Sequence, residues 1–152
     1  MFRGFSTLSL DAKGRMAIPS RYRERLAEQC GNALVLTLNP LDHCLWLYPL
    51  PDWELIETKL SALSDFNRQS RRTKQMMRGY ATDCELDGHG RILLPQQLRD
   101  YAGITKQVVV LGQGNKFEIW DEANWNRQRD EWLQQVGADS AEAPEPLRGL
   151  SL

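Results

Sequence analysis

The feature that most constrains this chain is a motif that occurs twice. Residues 10–23 align without a gap on residues 86–99, at a constant offset of 76 positions. Six positions of the motif carry the same residue in both copies, in the order Leu, Asp, Gly, Arg, Pro and Arg. An internal repeat of this kind predicts two copies of one small structural unit.

The resemblance between the copies continues beyond the motif. Two later runs and a tryptophan recur in the same order: residues 34–38 with 108–112, 45–48 with 117–120, and Trp53 with Trp125. The 152 residues suffice for two small fused units. We therefore divide the chain into four segments: a first unit at 1–51, bridging helices at 52–80, a second unit at 81–121, and a C-terminal helix with an acidic tail at 122–152.

Each motif contains a strand, a tight turn and a return to extended structure. Alternation of apolar and polar residues predicts strands at 7–10, 15–18, 82–86 and 91–94. Gly14 and Gly90 stand in the two turns, where a positive φ is costly for any residue with a Cβ. We therefore assign both glycines a structural role.

Helices follow each motif and join the two units. Pro19 and Pro95 favour a first helical turn, and Gly31 and Gly103 are natural C-terminal stops. The predicted helices span 20–29, 96–102, 68–80 and about 122–136. One more helix is predicted between the first unit and residue 68, with an apolar face formed by Trp53, Ile56, Leu60 and Leu63. The segment 137–146 is rich in Ala, Pro and acidic residues, which predicts a mobile tail.

Composition excludes several classes of protein. No run approaches the roughly 20 apolar residues that span a bilayer, and the first residues lack the apolar core of a secretion signal. Three widely spaced cysteines, Cys30, Cys44 and Cys84, argue for reduced thiols rather than a disulfide framework or a zinc site. We predict a cytoplasmic protein without a membrane partner.

Charge is distributed unevenly although the net charge is only −1. Residues 1–25 hold six basic and two acidic residues, and the run 66–80 holds five basic residues and no acidic one. From Asp121 onward, seven acidic residues face three arginines. A basic front with an acidic back orients a protein on a polyanion and limits indiscriminate binding.

The motif places an acidic and a basic side chain across each turn. Asp11 and Arg15 are repeated as Asp87 and Arg91, and a carboxylate is a suitable bidentate partner for a guanidinium. An arginine oriented in this way near the tip of a rigid turn is also suited to reach phosphate or the guanine O6 and N7 atoms.

The predicted DNA-binding residues are Arg15, Lys13, Arg3 and Arg91. Lys13 is a flexible phosphate contact beside Arg15. His89 replaces Lys13 in the second copy, and acidic residues surround Arg91. The helix arginines 21, 23 and 25 are more typical of solvated or paired surface residues, for instance with Glu24 or Glu28.

Nothing in the sequence indicates an enzyme. His43 and His89 stand in predicted turns, and no paired metal-ligand spacing, phosphate-cradling loop or nucleophile elbow is found. The tryptophans lie in apolar strand or helix patterns, which favours packing in a core or subunit interface over base stacking. We predict no catalytic residue, no metal, no cofactor and no small-molecule substrate.

The repeated Asp-x-x-Gly-Arg followed by Pro-x-x-x-Arg resembles the MraZ family, over nearly the whole chain. The start Met-Phe-Arg-Gly, the segment Tyr48–Trp53 and the segment Asn115–Asp121 add to the resemblance. A single copy of the motif would suggest only the broader AbrB-like superfamily.

The resemblance implies an α+β fold of two tandem AbrB-like swapped-hairpin units, each a double-split β-α-β, with bridging and C-terminal helices. It also implies a sequence-specific transcriptional regulator that binds double-stranded DNA as a homo-oligomeric ring. The DNA would carry short direct repeats upstream of the division and cell-wall gene cluster, and the protein would be associated with the nucleoid. The family's motif arginine contacts DNA, which carries over onto Arg15 and Arg91.

Two other functions stay open at this point. One is an oligomeric interaction module, antitoxin-like or a scaffold, without DNA specificity. The other is an RNA-binding accessory factor, since basic turns do not themselves distinguish duplex DNA from folded RNA. The sequence also leaves open whether a regulator represses or activates, which base pairs it reads, and how many subunits close the ring.

Overall fold

The computed structural model describes residues 1–139 and 145–151, and its elements follow the predicted order. The first copy and the bridge contain β1 (Phe5–Ser9), β2 (Arg15–Ala17), α1 (Ser20–Cys30), β3 (Ala33–Leu38), β4 (Leu45–Pro49), α2 (Leu50–Ser61) and α3 (Arg68–Met77). The second copy and the C-terminal segment contain β5 (Thr82–Glu85), β6 (Arg91–Leu93), α4 (Gln96–Ala102), β7 (Gln107–Gly112), β8 (Phe117–Asp121), α5 (Glu122–Asp139) and α6 (Glu145–Arg148). The fold class is α+β, as predicted.

The strands of the two copies are interleaved in one antiparallel sheet of six strands, ordered β1-β7-β8-β4-β3-β5. Strand β1 of the first copy pairs with β7 of the second copy, with Phe5 opposite Leu111. Strand β5 of the second copy pairs with β3 of the first copy, with Glu85 opposite Ala33. The copies thus exchange their outer strands, and neither copy completes the sheet alone.

Strands β2 and β6 form a separate two-stranded antiparallel ribbon. Each motif therefore sends its first strand into the sheet and its second strand into the ribbon. The strands on either side of each tight turn pair with the other copy and not with each other. This is the swapped arrangement that the family resemblance implies, and the swap joins the two copies within one chain.

The main hydrophobic core lies between one face of the sheet and the layer formed by the ribbon, α1 and α4. Alternate side chains of β3, at Leu34, Leu36 and Leu38, face this core and are at most 1% exposed. Met16 and Ile92 stand directly opposite each other in the ribbon and are 0% and 1% exposed. The inner face of the ribbon is therefore anchored in the core.

The other face of the sheet carries a second cluster formed with α2 and α3, in which Trp53, Leu60 and Met77 are buried. Both helices end earlier than predicted. Helix α2 ends at Ser61, before the predicted Leu63, and α3 ends at Met77, three residues short of Tyr80. Beyond Met77, Gly79 still donates to the Gln75 carbonyl at 3.1 Å, and an added Cβ at Gly79 would collide with that carbonyl.

The backbone contacts divide the chain into two compact units, Met1–Glu122 and Ala123–Leu152. The four segments predicted from the sequence, with boundaries at 51, 80 and 121, stay a prediction. Within the predicted mobile tail, residues 137–139 belong to α5, residues 145–146 belong to α6, and residues 140–144 lie outside the described residues. In the part of the chain that is described, no helix has the length and apolar character to cross a membrane.

Candidate nucleic-acid interface

The first tight turn is organised by the carboxylate of Asp11. Its Oδ1 accepts hydrogen bonds from the backbone N–H groups of Lys13 and Arg15, both at 2.9 Å. Its Oδ2 accepts from Arg15 Nε at 2.7 Å. The predicted contact between these two side chains is confirmed, but the guanidinium reaches Asp11 through Nε instead of through a two-pronged fork, because backbone N–H groups occupy the second oxygen.

The second turn repeats this arrangement. Asp87 Oδ1 accepts from the backbone N–H groups of His89 and Arg91, at 2.8 and 2.9 Å, and Oδ2 accepts from Arg91 Nε at 3.0 Å. Gly90 closes the turn by donating to the Asp87 carbonyl at 3.0 Å. The sequence repeat is therefore a structural repeat down to individual hydrogen bonds.

The two turn carboxylates are held in their ionised form. The backbone N–H of Arg91 is the main cause that lowers the pKa of Asp87, to about 2, and the Arg91 side chain adds to it. The backbone N–H of Arg15 likewise lowers the pKa of Asp11. Hydrogen bonds to a carboxylate favour its charged form. Both turns thus keep their negative charge, and with it their hold on the arginines, at neutral pH.

A second pair of motif arginines connects the two turns. Arg99 Nε donates to the Leu94 carbonyl at 2.8 Å, and its guanidinium lies over Gly14 of the other copy. Arg23 mirrors it by donating to the Ile18 carbonyl at 2.8 Å and lying over Gly90.

Each turn is thereby covered by an arginine of the opposite copy. This role differs from the prediction that Arg23 is solvated or paired with Glu24 or Glu28, because its partners are a backbone carbonyl and a glycine. The recurrence of the arginine at the same motif position is the signal that pointed to a structural role.

Gly14→Ala is expected to lower the free energy of unfolding by about 1–2 kcal/mol, because Gly14 has φ +80°. An added Cβ would also lie 2.7 Å from the Arg99 guanidinium carbon. Gly88→Ala is the matched control, since Gly88 meets open space and corresponds to Ala12 in the first copy. Urea denaturation should show little change for the control, and equal losses for the two variants would contradict the assignment.

The ribbon presents two arginines on its outer face. Arg15 stands opposite Leu93, and Arg91 stands opposite Ala17, so these four side chains share the face that points away from Met16 and Ile92. The side chains of Arg15 and Arg91 are 31% and 29% exposed. Arg91 is also held from the other copy, since its Nη1 lies 3.8 Å from Asp11 Oδ2.

The structure brings three of the four predicted DNA-binding residues together. Arg15 and Arg91 lie on the ribbon, and the exposed Lys13 stands in the turn that leads into it. Arg3 is exposed, but β1 separates it from that turn, a distance of about 16 Å for five residues of strand. Arg3 therefore belongs to a different part of the surface.

Several other basic residues have identifiable partners within the protein. The guanidinium of Arg25 lies 4.5 Å from the Phe2 ring centroid, and that of Arg21 lies 4.6 Å from the Tyr22 centroid. In the basic run 66–80, Lys74 pairs with Asp65, and Arg78 Nε lies 3.3 Å from Glu57. Part of the basic character of these segments is thus engaged in contacts within the protein.

The structure also shows what surrounds the histidine and cysteine side chains. Among the described residues, no group of three His, Cys, Asp or Glu side chains is arranged to hold a metal ion. His43 Nδ1 lies 3.1 Å from the Tyr101 carbonyl, and the rings of the two residues stack at 4.9 Å. Cys30, Cys44 and Cys84 are free thiols, as predicted. Burial raises the pKa of the Cys84 thiol to about 12, which makes it unreactive.

Comparison with known proteins assigns the chain to a family. The family model described as "MraZ protein, putative antitoxin-like" matches twice, over residues 1–76 and 77–145. The chain belongs to the MraZ family. The two MraZ matches divide the chain between its two copies of the motif, in agreement with the repeat found in the sequence.

Curated relatives of the MraZ family resemble the chain over their whole length. A protein of Thioalkalivibrio sulfidiphilus is 55% identical and one of Halorhodospira halophila is 51% identical, each over 100% of both chains. A protein of Escherichia coli strain K12 is 45% identical, also over 100% of both chains. Each of these relatives is named "Transcriptional regulator MraZ". The MraZ family predicted from the motif is thus confirmed.

Proposed function

We propose that this protein is a transcriptional regulator that binds double-stranded DNA sequence-specifically, and that it is not an enzyme. The observation that carries the proposal is the ribbon of β2 and β6, which holds Arg15 and Arg91 on one outer face with their Nε atoms fixed by Asp11 and Asp87. The names of the relatives support the same function. The protein needs no cofactor and takes no small-molecule substrate.

A two-stranded antiparallel ribbon such as β2 and β6 is a form that the major groove of DNA admits. That groove admits either a helix or a two-stranded β-ribbon, and an arginine there pairs with the O6 and N7 atoms of guanine. Asp11 uses only Nε of the Arg15 guanidinium in the hydrogen bond that orients it, so the terminal nitrogens are not committed to that bond. Arg15 reads a base, and Lys13 at the turn contacts phosphate.

Arg91 and Arg3 take supporting parts in this interface. Arg91 lies on the same face as Arg15, but it faces two carboxylates, Asp87 at 3.0 Å and Asp11 at 3.8 Å. Its contact with DNA is therefore weaker than that of Arg15. Arg3 lies at the far end of β1 and reaches phosphate of a neighbouring stretch of DNA.

The protein acts from a homo-oligomeric ring at short direct repeats upstream of the division and cell-wall gene cluster, in the cytoplasm and at the nucleoid. A single ribbon of three residues per strand contacts few base pairs. Several ribbons held at fixed spacing gain avidity, because each later contact forms at high effective concentration. Repeated DNA boxes then match repeated subunits.

Arg15→Ala is expected to weaken binding to the repeats by about 5- to 150-fold, which corresponds to the 1–3 kcal/mol of a good arginine–guanine pair. Fluorescence anisotropy would compare a labelled duplex carrying the protein's own upstream repeats with a scrambled duplex over a salt series. Affinity of the wild type should fall steeply with salt concentration for both duplexes, since phosphate contacts contribute to both.

Arg72→Ala is the matched control, since it removes the same charge from an exposed position on α3. It should preserve the preference for repeats, whereas Arg15→Ala should abolish it in a protein that still folds and assembles. If the wild type shows no preference at low or physiological salt, the interaction-module function replaces DNA regulation. If folded RNA competes as well as the duplex, the RNA-binding function replaces it.

A further inference from the structure

The two ends of the ribbon differ chemically although their backbones are equivalent. The offset of 76 makes Ala17 and Leu93 equivalent positions, as it does Arg15 and Arg91. Because the strands are antiparallel, Leu93 stands beside Arg15 and Ala17 stands beside Arg91. One end therefore presents a guanidinium next to an isobutyl group, and the other presents a guanidinium next to a methyl group.

Leu93 is the large apolar side chain on this outer face. It is 53% exposed, whereas its neighbours in the sequence, Ile92 and Leu94, are 1% and 0% exposed. In the described part of the chain it belongs to neither hydrophobic cluster. Its isobutyl group is thus held on a rigid, anchored strand and left available to a ligand.

The position of Leu93 next to Arg15 indicates what that ligand is. Directly opposed side chains of an antiparallel pair have Cβ atoms about 4.5–5.5 Å apart, and successive base pairs are separated by about 3.4 Å. A side chain beside an arginine that reads guanine therefore faces an adjacent base pair. The apolar group that base edges offer in the major groove is the C5-methyl of thymine.

We infer that Leu93 is a specificity-determining residue that contacts the methyl group of a thymine adjacent to the guanine read by Arg15. This inference rests on the proposed function. The methyl group of Ala17 reaches less far beside Arg91, so the two ends of the ribbon contact DNA unequally and the ribbon prefers one direction on it. In a ring whose subunits share one orientation, such a ribbon is compatible with the direct repeats of the proposed function.

The test removes the thymine methyl group alone. A duplex selected from random sequence by the wild-type protein is remade with each thymine of its box replaced in turn by deoxyuridine, and anisotropy gives the affinity. The affinity of the wild type should fall about fourfold per box when one or two thymines next to a guanine are replaced. This is the loss expected when one methyl group is no longer buried against an apolar side chain. Leu93→Ala should bind more weakly and should not respond to those same replacements.

Two further variants make the result specific. Leu55→Ala removes an exposed leucine from α2 and should respond to deoxyuridine as the wild type does. The exchange variant Ala17→Leu/Leu93→Ala places leucine beside Arg91 and should move the sensitive thymine to the other end of the box. Analytical ultracentrifugation monitors assembly of each variant.

The outcomes separate this inference from the proposed function. If the wild type selects no sequence over a scrambled duplex, the proposed function fails. If it selects a sequence but the wild type and Leu93→Ala respond equally at every thymine, only the role of Leu93 is overturned. The same holds if Leu93→Ala disrupts the assembly while its response to deoxyuridine is that of the wild type, which would place Leu93 in a subunit contact.

Discussion

Replacement of Phe117 by alanine is expected to lower the free energy of unfolding by about 3–5 kcal/mol, as for other buried Phe→Ala changes. Phe117 is 1% exposed, and its ring packs between those of Phe2 and Tyr22, with centroids 4.4 and 4.9 Å away. These three rings come from the N-terminal segment, from α1 and from β8. Removal of the Phe117 ring therefore weakens the packing of both copies.

Phe66→Ala is the matched control, because Phe66 lies between α2 and α3 with its side chain fully exposed. A change there should stay within about 0.5 kcal/mol. Urea denaturation followed by circular dichroism measures both variants. A loss below about 1 kcal/mol for Phe117→Ala would mean that the aromatic cluster does not hold the two copies together as described.

Replacement of Ile92 by alanine is expected to cost about 2–5 kcal/mol and to weaken DNA binding as well. Ile92 and its partner Met16 are the residues that fix the inner face of the ribbon to the core. A cavity beneath the ribbon removes that support. The outer arginines then lose the fixed spacing on which base recognition depends.

Leu93→Ala provides the contrast for this experiment, since Leu93 is the next residue of the same strand and faces outward. Its unfolding free energy should change by no more than about 0.5 kcal/mol. Thermal or urea denaturation measures the stability of each variant, and anisotropy on the same samples measures its affinity for DNA, so that a loss of stability is distinguished from a loss of binding. Equal stability losses at positions 92 and 93 would contradict the assignment of inner and outer faces.

The elements of the two repeated units could be predicted from the sequence because the repeat shows each of them twice. Helix α4 lies where the pattern placed it, and α1, β2, β5 and β6 each differ from the predicted range by one residue. The sequence alone could not predict which copy each strand pairs with. The two copies carry the same alternation of apolar and polar residues, so pairing within a copy and exchange between copies satisfy it equally.

The candidate site was predicted in part, for reasons that concern particular residues. The contact between Asp11 and Arg15 followed from their spacing across a turn, and the structure shows it. The roles of Arg23 and Arg99 did not follow, because their partners are backbone carbonyls and a glycine of the other copy. No residue type in the sequence identifies a backbone carbonyl or a glycine as a partner. Only the recurrence of both arginines in the motif indicates that they have a structural role.

The exchange of outer strands also sets the order of events while the chain is being made. Phe5 of β1 pairs with Leu111 of β7, 106 residues later. At a synthesis rate of about 5–20 residues per second, β1 stays unpaired for roughly 5–20 seconds before β7 has been synthesised. An unpaired strand is a template for aggregation during that interval. β1 is five residues long and three of them are Ser or Thr, so during that interval it offers only Phe5 and Leu8 as apolar side chains to another chain.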